Sequence, residues 1–126
     1  MIFAIATPAA TTTFAATEGT DIPVVFCAVS DPVLANLVSS MDIPGDLCTG
    51  TSDVLDLSAQ LDLIQALQPD VKKIGILYTT SEANSISNLA VMRELAEKRD
   101  LVIDAVGIQR DSDIPAAAAA LASRVD

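Results

Sequence analysis

The sequence contains no histidine and no tryptophan. Without histidine, a Ser/His/Asp triad, a Cys/His dyad and a His-ligated zinc site are excluded within these 126 residues. Without tryptophan there is no indole platform for stacking a base. Positive charge is scarce as well: 7 Lys and Arg stand against 17 Asp and Glu, a net charge of −10. Such a chain repels phosphate backbones and anionic lipid, so nucleic acid is not an expected partner. Cysteine is limited to Cys27 and Cys48, which form no CxxC pair of the metal or redox kind. Cys27 lies in the apolar run 23–29 and reads as a small buried hydrophobe, while spacing leaves open whether the two cysteines pair. Glycine (5) and proline (6) are too few for a collagenous or low-complexity chain. No apolar run approaches the roughly 18 residues that a bilayer-spanning helix needs, which reads as a soluble chain.

What is present is a packed globular piece, 51% hydrophobic and long enough for one modest core. Four short apolar runs rich in β-branched residues, 2–6, 22–29, 73–78 and 101–108, are nearly continuous rather than alternating. That pattern marks strands buried on both faces of a parallel sheet. The opening stretch MIFAIATPAATTTFAA is apolar but lacks a basic n-region and carries Pro8 and four threonines by Thr13, so it reads as a strand and turn rather than a secretory signal. Over 54–67, Leu57, Leu61 and Ile64 recur at helical spacing, with Ser52 or Asp53 as the cap and Pro69 as the stop. Over 85–98, Ile86, Leu89, Met92 and Leu95 or Ala96 share a stripe. A third helix is expected from Ser112, where Pro115 is tolerable near the start. Alternating strands and helices predict an α/β fold, a parallel sheet with flanking helices. The stretch 39–53, with Pro44, Gly45 and Gly50, reads as turn chemistry linking two lobes, with the boundary near 50–53.

In open parallel sheets ligands bind beyond the carboxyl ends of the strands. The residues there are Thr7 and Pro8, Ser30 and Asp31, and 79–85, each small and polar and each ahead of a helical pattern. Free N–H groups at such helix starts suit a carboxylate, and Asp31, which only accepts hydrogen bonds, suits an ammonium group. A ligand carrying both charges, such as an amino acid, would use both. The plainer account makes all of these residues caps and turn formers. Asp56 and Asp62, six apart, do not share a helix face and read as a solvated acidic face rather than a metal site. GDLCTG lacks the Gly-Lys-Ser/Thr ending of a phosphate loop. No cofactor is expected.

The segments AIATPAA (4–10), DIPVVFCAVSDPV (21–33), TGTSD (49–53) and KKIGILYTTSEANS (72–85) occur in the order and spacing of one family. They resemble the substrate-binding proteins of ABC importers in the tryptophan/tyrosine class, which have the type I periplasmic-binding-protein fold. The resemblance implies a central fragment of a protein about twice as long: residues 1–52 as the end of a first α/β lobe with a hinge crossing, 53–126 as the beginning of a second. It assigns Ala6, Thr7 and Pro8 to one ligand loop and Ser30 and Asp31 to the next. Thr51, Ser52 and Asp53 fall at the hinge crossing, and Ser81, Glu82, Ala83, Asn84 and Ser85 form the second-lobe loop. Thr79-Thr80 stands where the family usually has Asn-Pro. The implied function is non-enzymatic capture of a small ligand, an aromatic or aliphatic amino acid, for an ABC permease, by an extracytoplasmic lipoprotein whose signal this sequence does not supply. The fragment by itself is expected to self-associate. Two other readings compete: a ligand-sensing domain of a regulator with the same two-lobe fold, and a small α/β enzyme using Asp31 or Glu82 as a base beside Ser30 or Ser81.

Overall fold

The computed structural model describes residues 1–126 and divides them into two compact units, Met1–Leu55 and Asp56–Asp126. The first holds strands β1 (Ile2–Ile5), β2 (Val24–Val29) and β3 (Cys48–Ser52) and helix α1 (Thr7–Ala16). The second holds α2 (Leu57–Leu67), β4 (Lys73–Thr79), α3 (Ala83–Glu97), β5 (Val102–Ile108), a 3-10 turn at Asp111–Asp113 and α4 (Ile114–Ala122). Both sheets are wholly parallel, in the orders β1-β2-β3 and β4-β5. The expected α/β class with parallel strands and flanking helices is what the structure contains.

In the first unit, β1 and β2 align Ile2 with Val24 and Ala4 with Phe26, and β2 and β3 align Val24 with Cys48 and Phe26 with Gly50. Aligned residues share a face, so Ala4, Val24, Phe26 and Cys48 enter one core with Ala10 of α1, Val29 and Leu37, and Phe14 packs against them. Two elements differ from expectation. The threonine-rich opening forms strand and then helix, because Pro8 occupies the first turn, where its missing N–H costs nothing, and Thr11 turns its hydroxyl back onto the Thr7 carbonyl at 3.0 Å. Residues 49–52 of TGTSD belong to strand β3 rather than to a turn. Gly50 belongs there because Phe26 fills the space beside it: a Cβ on Gly50 would collide with the Phe26 carbonyl oxygen and lie 2.5 Å from its ring. The link from β2 to β3 contains turns at 32–36 and no helix.

In the second unit, Leu61, Val71, Ala96 and Leu101 form the core with Ile74 and Ile103 from the strands. On the other face Leu121 of α4 lies against Gly75, where a Cβ would meet it at 2.8 Å. The cap of α2 is Asp56, which accepts the Ala59 N–H at 2.9 Å, so neither Ser52 nor Asp53 serves. Helix α3 starts at Ala83, two residues before the expected stretch 85–98, and Ile86 in its first turn stays half exposed while Leu89 and Ala96 are buried. The 3-10 turn delays α4 to Ile114, leaving Pro115 in its first turn. Asp62 accepts from Arg99 Nη2 at 2.8 Å, and the same guanidinium donates to Ser58 Oγ at 2.7 Å and to the Leu95 carbonyl at 3.1 Å. This one side chain fastens α2 to α3. Asp104 holds Lys73 at 3.1 Å and Arg124 at 3.2 Å.

Gly50→Ala is expected to destabilise the first unit by about 3 kcal/mol, since backbone and ring must both move, and urea unfolding checks it. At the other end, the Asp126 carboxylate accepts the N–H groups of Lys72 and Lys73, each at 2.8 Å, and these bonds hold its pKa below the ordinary 3.8. A carboxylate whose pKa is lowered by folding stabilises the fold above its unfolded pKa, and that contribution fades as pH falls through the lowered value. Asp126→Asn is therefore expected to reduce the melting temperature at neutral pH and to flatten its decline below about pH 4, read by thermal denaturation across pH.

Candidate functional site

Parallel pairing places the carboxyl ends of β1, β2 and β3 along one edge of the first unit. Ala6 follows β1 at φ 70° and ψ 160°, a region that glycine normally occupies, and donates its N–H to the Cys27 carbonyl at 3.0 Å. Its own carbonyl accepts the Ala10 N–H at 3.0 Å, which starts α1. Thr7 is nearly buried, at 6% exposure, and Pro8 is exposed. Because Pro8 has no N–H, Thr7 and Ala9 supply the first-turn donors that lack a helical acceptor.

After β2, Asp31 Oδ1 accepts the Leu34 N–H at 2.9 Å and fixes the turn at 32–36. Ser30 and Asp31 therefore precede a turn and not the helix that their sequence setting implied; Pro32 and the tight bonding of Leu37 N–H to the Pro32 carbonyl at 2.9 Å prevent a regular ladder. Asp31 Oδ2 accepts nothing from the protein. Ser52, the last residue of β3, donates its hydroxyl to the Ser30 carbonyl at 3.2 Å. Thr51 is exposed on the same strand. The structure thus assembles Ala6, Thr7, Pro8, Ser30, Asp31 and Ser52 along one edge, with Thr51 one residue inward.

The second unit repeats the arrangement at the ends of β4 and β5. Thr80 ties them together, its N–H and hydroxyl both reaching the Ile108 carbonyl, at 3.0 and 3.4 Å. Ser81 is exposed in the turn, and Glu82 caps α3 with its backbone but makes no side-chain cap bond. Ala83, Asn84 and Ser85 form the first turn of α3, where N–H groups lack helical acceptors. Asn84 Oδ1 is buried and has no hydrogen-bond partner. A buried polar atom without a partner is costly, and this acceptor lacks a donor.

Beside this loop lies a cleft of about 260 Å³, lined by Ser85 together with Leu57, Tyr78, Thr79, Asn88 and Met92. Thr79 belongs to the strand-end stretch 79–85, while Tyr78 and Asn88 were not among the residues singled out from the sequence. The signal for Asn88 was there, since it follows Asn84 by one helical turn and Ser85 by three residues. Tyr78 gave none, because its role depends on Gly107: a Cβ there would lie 3.2 Å from the Tyr78 hydroxyl.

No group of three or more Cys, Asp or Glu side chains is placed to hold a metal ion. Cys27 and Cys48 are both free, which answers the question of their pairing, and burial pushes the Cys48 thiol pKa up, away from nucleophilic use. No helix is long and apolar enough to cross a membrane.

Comparison with known proteins bears on the family. The family model for ABC transporter substrate-binding proteins matches residues 1–126. The chain is 39% identical over 126 residues to a tyrosine-binding protein of Clostridioides difficile (strain R20291), matching all of this chain and 36% of that protein. Among solved structures, an ABC domain from Streptococcus pneumonia in complex with L-Trp superposes with a TM-score of 0.94 at 37% identity, over 100% of this chain and 42% of that one. A conserved domain protein from Vibrio cholerae O1 biovar El Tor gives 0.92 at 34% identity, over 99% of this chain and 42% of the other. The chain therefore spans well under half the length of these relatives. It belongs to the ABC transporter substrate-binding protein family.

Proposed function

We propose that these residues form part of a receptor that captures an aromatic amino acid between two α/β lobes and hands it to an ABC permease on the extracytoplasmic side of the membrane. In this reading residues 1–52 close the first lobe and cross a hinge, and 53–126 open the second. The observation that carries it is the unsatisfied Asn84 Oδ1 at the start of α3, an acceptor prepared for a ligand donor such as an ammonium or an indole N–H. Groups within each unit offer complementary chemistry. The Asp31 carboxylate, with one oxygen free of protein donors, suits the ammonium. First-turn N–H groups of α1 and α3 suit the carboxylate. The partly apolar cleft bounded by Tyr78 and Met92 suits a ring. The relatives named for tyrosine and solved with L-Trp favour the aromatic class.

Capture of this kind needs no catalytic group. Lobe closure is driven by contacts that the ligand makes only in the closed state, so a zwitterion that engages both loops selects closure and one that engages a single loop does not. This role leaves Ser30 and Ser81 as ligand donors rather than nucleophiles, in keeping with the absence of histidine.

Calorimetry on the natural polypeptide that carries these residues tests the reading. Binding of L-tryptophan or L-tyrosine is expected. Asn84→Ala should weaken it about tenfold, the worth of one buried hydrogen bond. No heat with either amino acid, under conditions where the protein is folded, would overturn the assignment. For residues 1–126 alone, self-association is the expected state, because β1 leaves Phe3 and Ile5 about 60% exposed on a sheet edge; a monomer by light scattering at micromolar concentration would contradict it.

A further inference from the structure

Four non-glycine residues have positive φ: Ala6, Ala28, Asn36 and Asp100. Asn and Asp enter the left-handed region with little strain, so Asn36 and Asp100 are ordinary. Ala28 is different. It lies inside strand β2 at φ 54°, where alanine gains nothing from the conformation that glycine would not supply more cheaply.

The ladder explains what happens there. Pairing with β3 runs regularly from Val24 opposite Cys48 to Phe26 opposite Gly50, then resumes with Val29 opposite Ser52. Between those points β2 advances three residues while β3 advances two, which is a β-bulge. The extra residue reverses the alternation of β2. Val24 and Phe26 point into the core, and in a regular strand Ala28 would follow them. Instead Ala28 is exposed and Val29 is fully buried, at 0%. Every residue beyond the bulge is turned over by the same step.

Three bonds grip the backbone around that step. Before it, the Cys27 carbonyl takes the Ala6 N–H at 3.0 Å. After it, the Val29 carbonyl takes the Asp53 N–H at 3.4 Å, and the Ser30 carbonyl takes the Ser52 hydroxyl at 3.2 Å. The bulge therefore sets the height and orientation at which Ser30 and Asp31 leave the sheet, and couples them to the loop that begins at Ala6.

We infer that Ala28 is a positioning residue for ligand capture: the bulge it forms aims Ser30 and Asp31 at the ligand, and its strained backbone is retained for that placement. The inference rests on the amino-acid-binding reading above. Ala28 acts through Asp31, not by touching ligand.

A double-mutant cycle on the natural polypeptide, with L-tryptophan and L-tyrosine as probes, tests it. Asp31→Asn keeps the acceptor for Leu34 and removes the charge, so it should weaken binding without melting the turn. Ala28→Val, whose branched side chain resists positive φ, should weaken binding about tenfold in protein that remains folded, and in that background Asp31→Asn should cost little more. Ala28→Gly keeps the bulge, so it should melt a few degrees higher and retain wild-type affinity. Should Ala28→Val not fold, Ala28→Leu takes its place in the cycle. Additive losses, wild-type affinity in Ala28→Val, or a large loss in Ala28→Gly would each overturn the inference, the last by making the methyl group itself a contact. Absence of binding by the wild type would fell the amino-acid reading and this proposal with it, and is distinguishable because every variant would then be silent.

Discussion

Parallel strand pairing is the constraint on which the rest of this structure depends. In a parallel ladder all strands of a unit point the same way, so every strand discharges its chain at one edge and every connection must return to the opposite edge. The register of β4 with β5, from Lys73 opposite Val102 to Thr79 opposite Ile108, brings Thr80 and the turn at Ser81 to the same height as the end of β5. The register of β1, β2 and β3 does the same for Ala6, Ser30 and Ser52. Residues from distant points in sequence become neighbours without any direct attraction between them. The hydrogen bonds of Thr80 to Ile108 and of Ser52 to Ser30 then fix positions that the ladder has already brought close.

Within each unit, acidic side chains join the elements to one another. Asp56 caps α2, Asp62 receives the guanidinium that joins α2 to α3, Asp104 gathers two cations at the base of β4 and β5, and Asp126 accepts the N–H groups of Lys72 and Lys73. A surface ion pair contributes little by itself. Here the value lies in geometry: each carboxylate meets a helix start, a second helix or a strand end, so it orders elements relative to one another within its unit. The 17 acidic residues are thus more than a solvated coat, and Asp56 and Asp62 in particular have separate structural tasks.

Glycine completes the picture by permitting close approach. Phe26 lies over Gly50, Leu121 over Gly75, and Tyr78 beside Gly107. In each case a large side chain on one element needs the absence of a side chain on another. At Gly107 the space is shared by the Thr80 methyl, 2.5 Å from where a Cβ would lie, and the Tyr78 ring at 3.2 Å, and that ring also forms a wall of the cleft beside Ser85.

The sequence by itself determined the fold class and most of the elements. Continuous β-branched runs made strands β1, β2, β4 and β5 legible, although β1 exposes Phe3 and Ile5 and β4 is only half-buried, so burial on both faces is not what the structure shows; apolar spacing made α2 and α3 legible. The strand-end rule also singled out the residues at the carboxyl edges. Tertiary structure decided the rest. β3 could not be read because its glycine and hydroxyl residues look like a turn until Phe26 is placed over Gly50. α1 was obscured by its threonines, of which Thr11 finds an acceptor for its hydroxyl only once the helix exists. Nothing local marks the bulge at Ala28, the turn in place of a helix after Asp31, or the unpaired oxygen of Asn84, because each is a property of what neighbouring elements leave available to the backbone and side chain. Local pattern records which surfaces must be buried; only packing settles where a strand slips by one residue and which polar atom is left waiting for a partner.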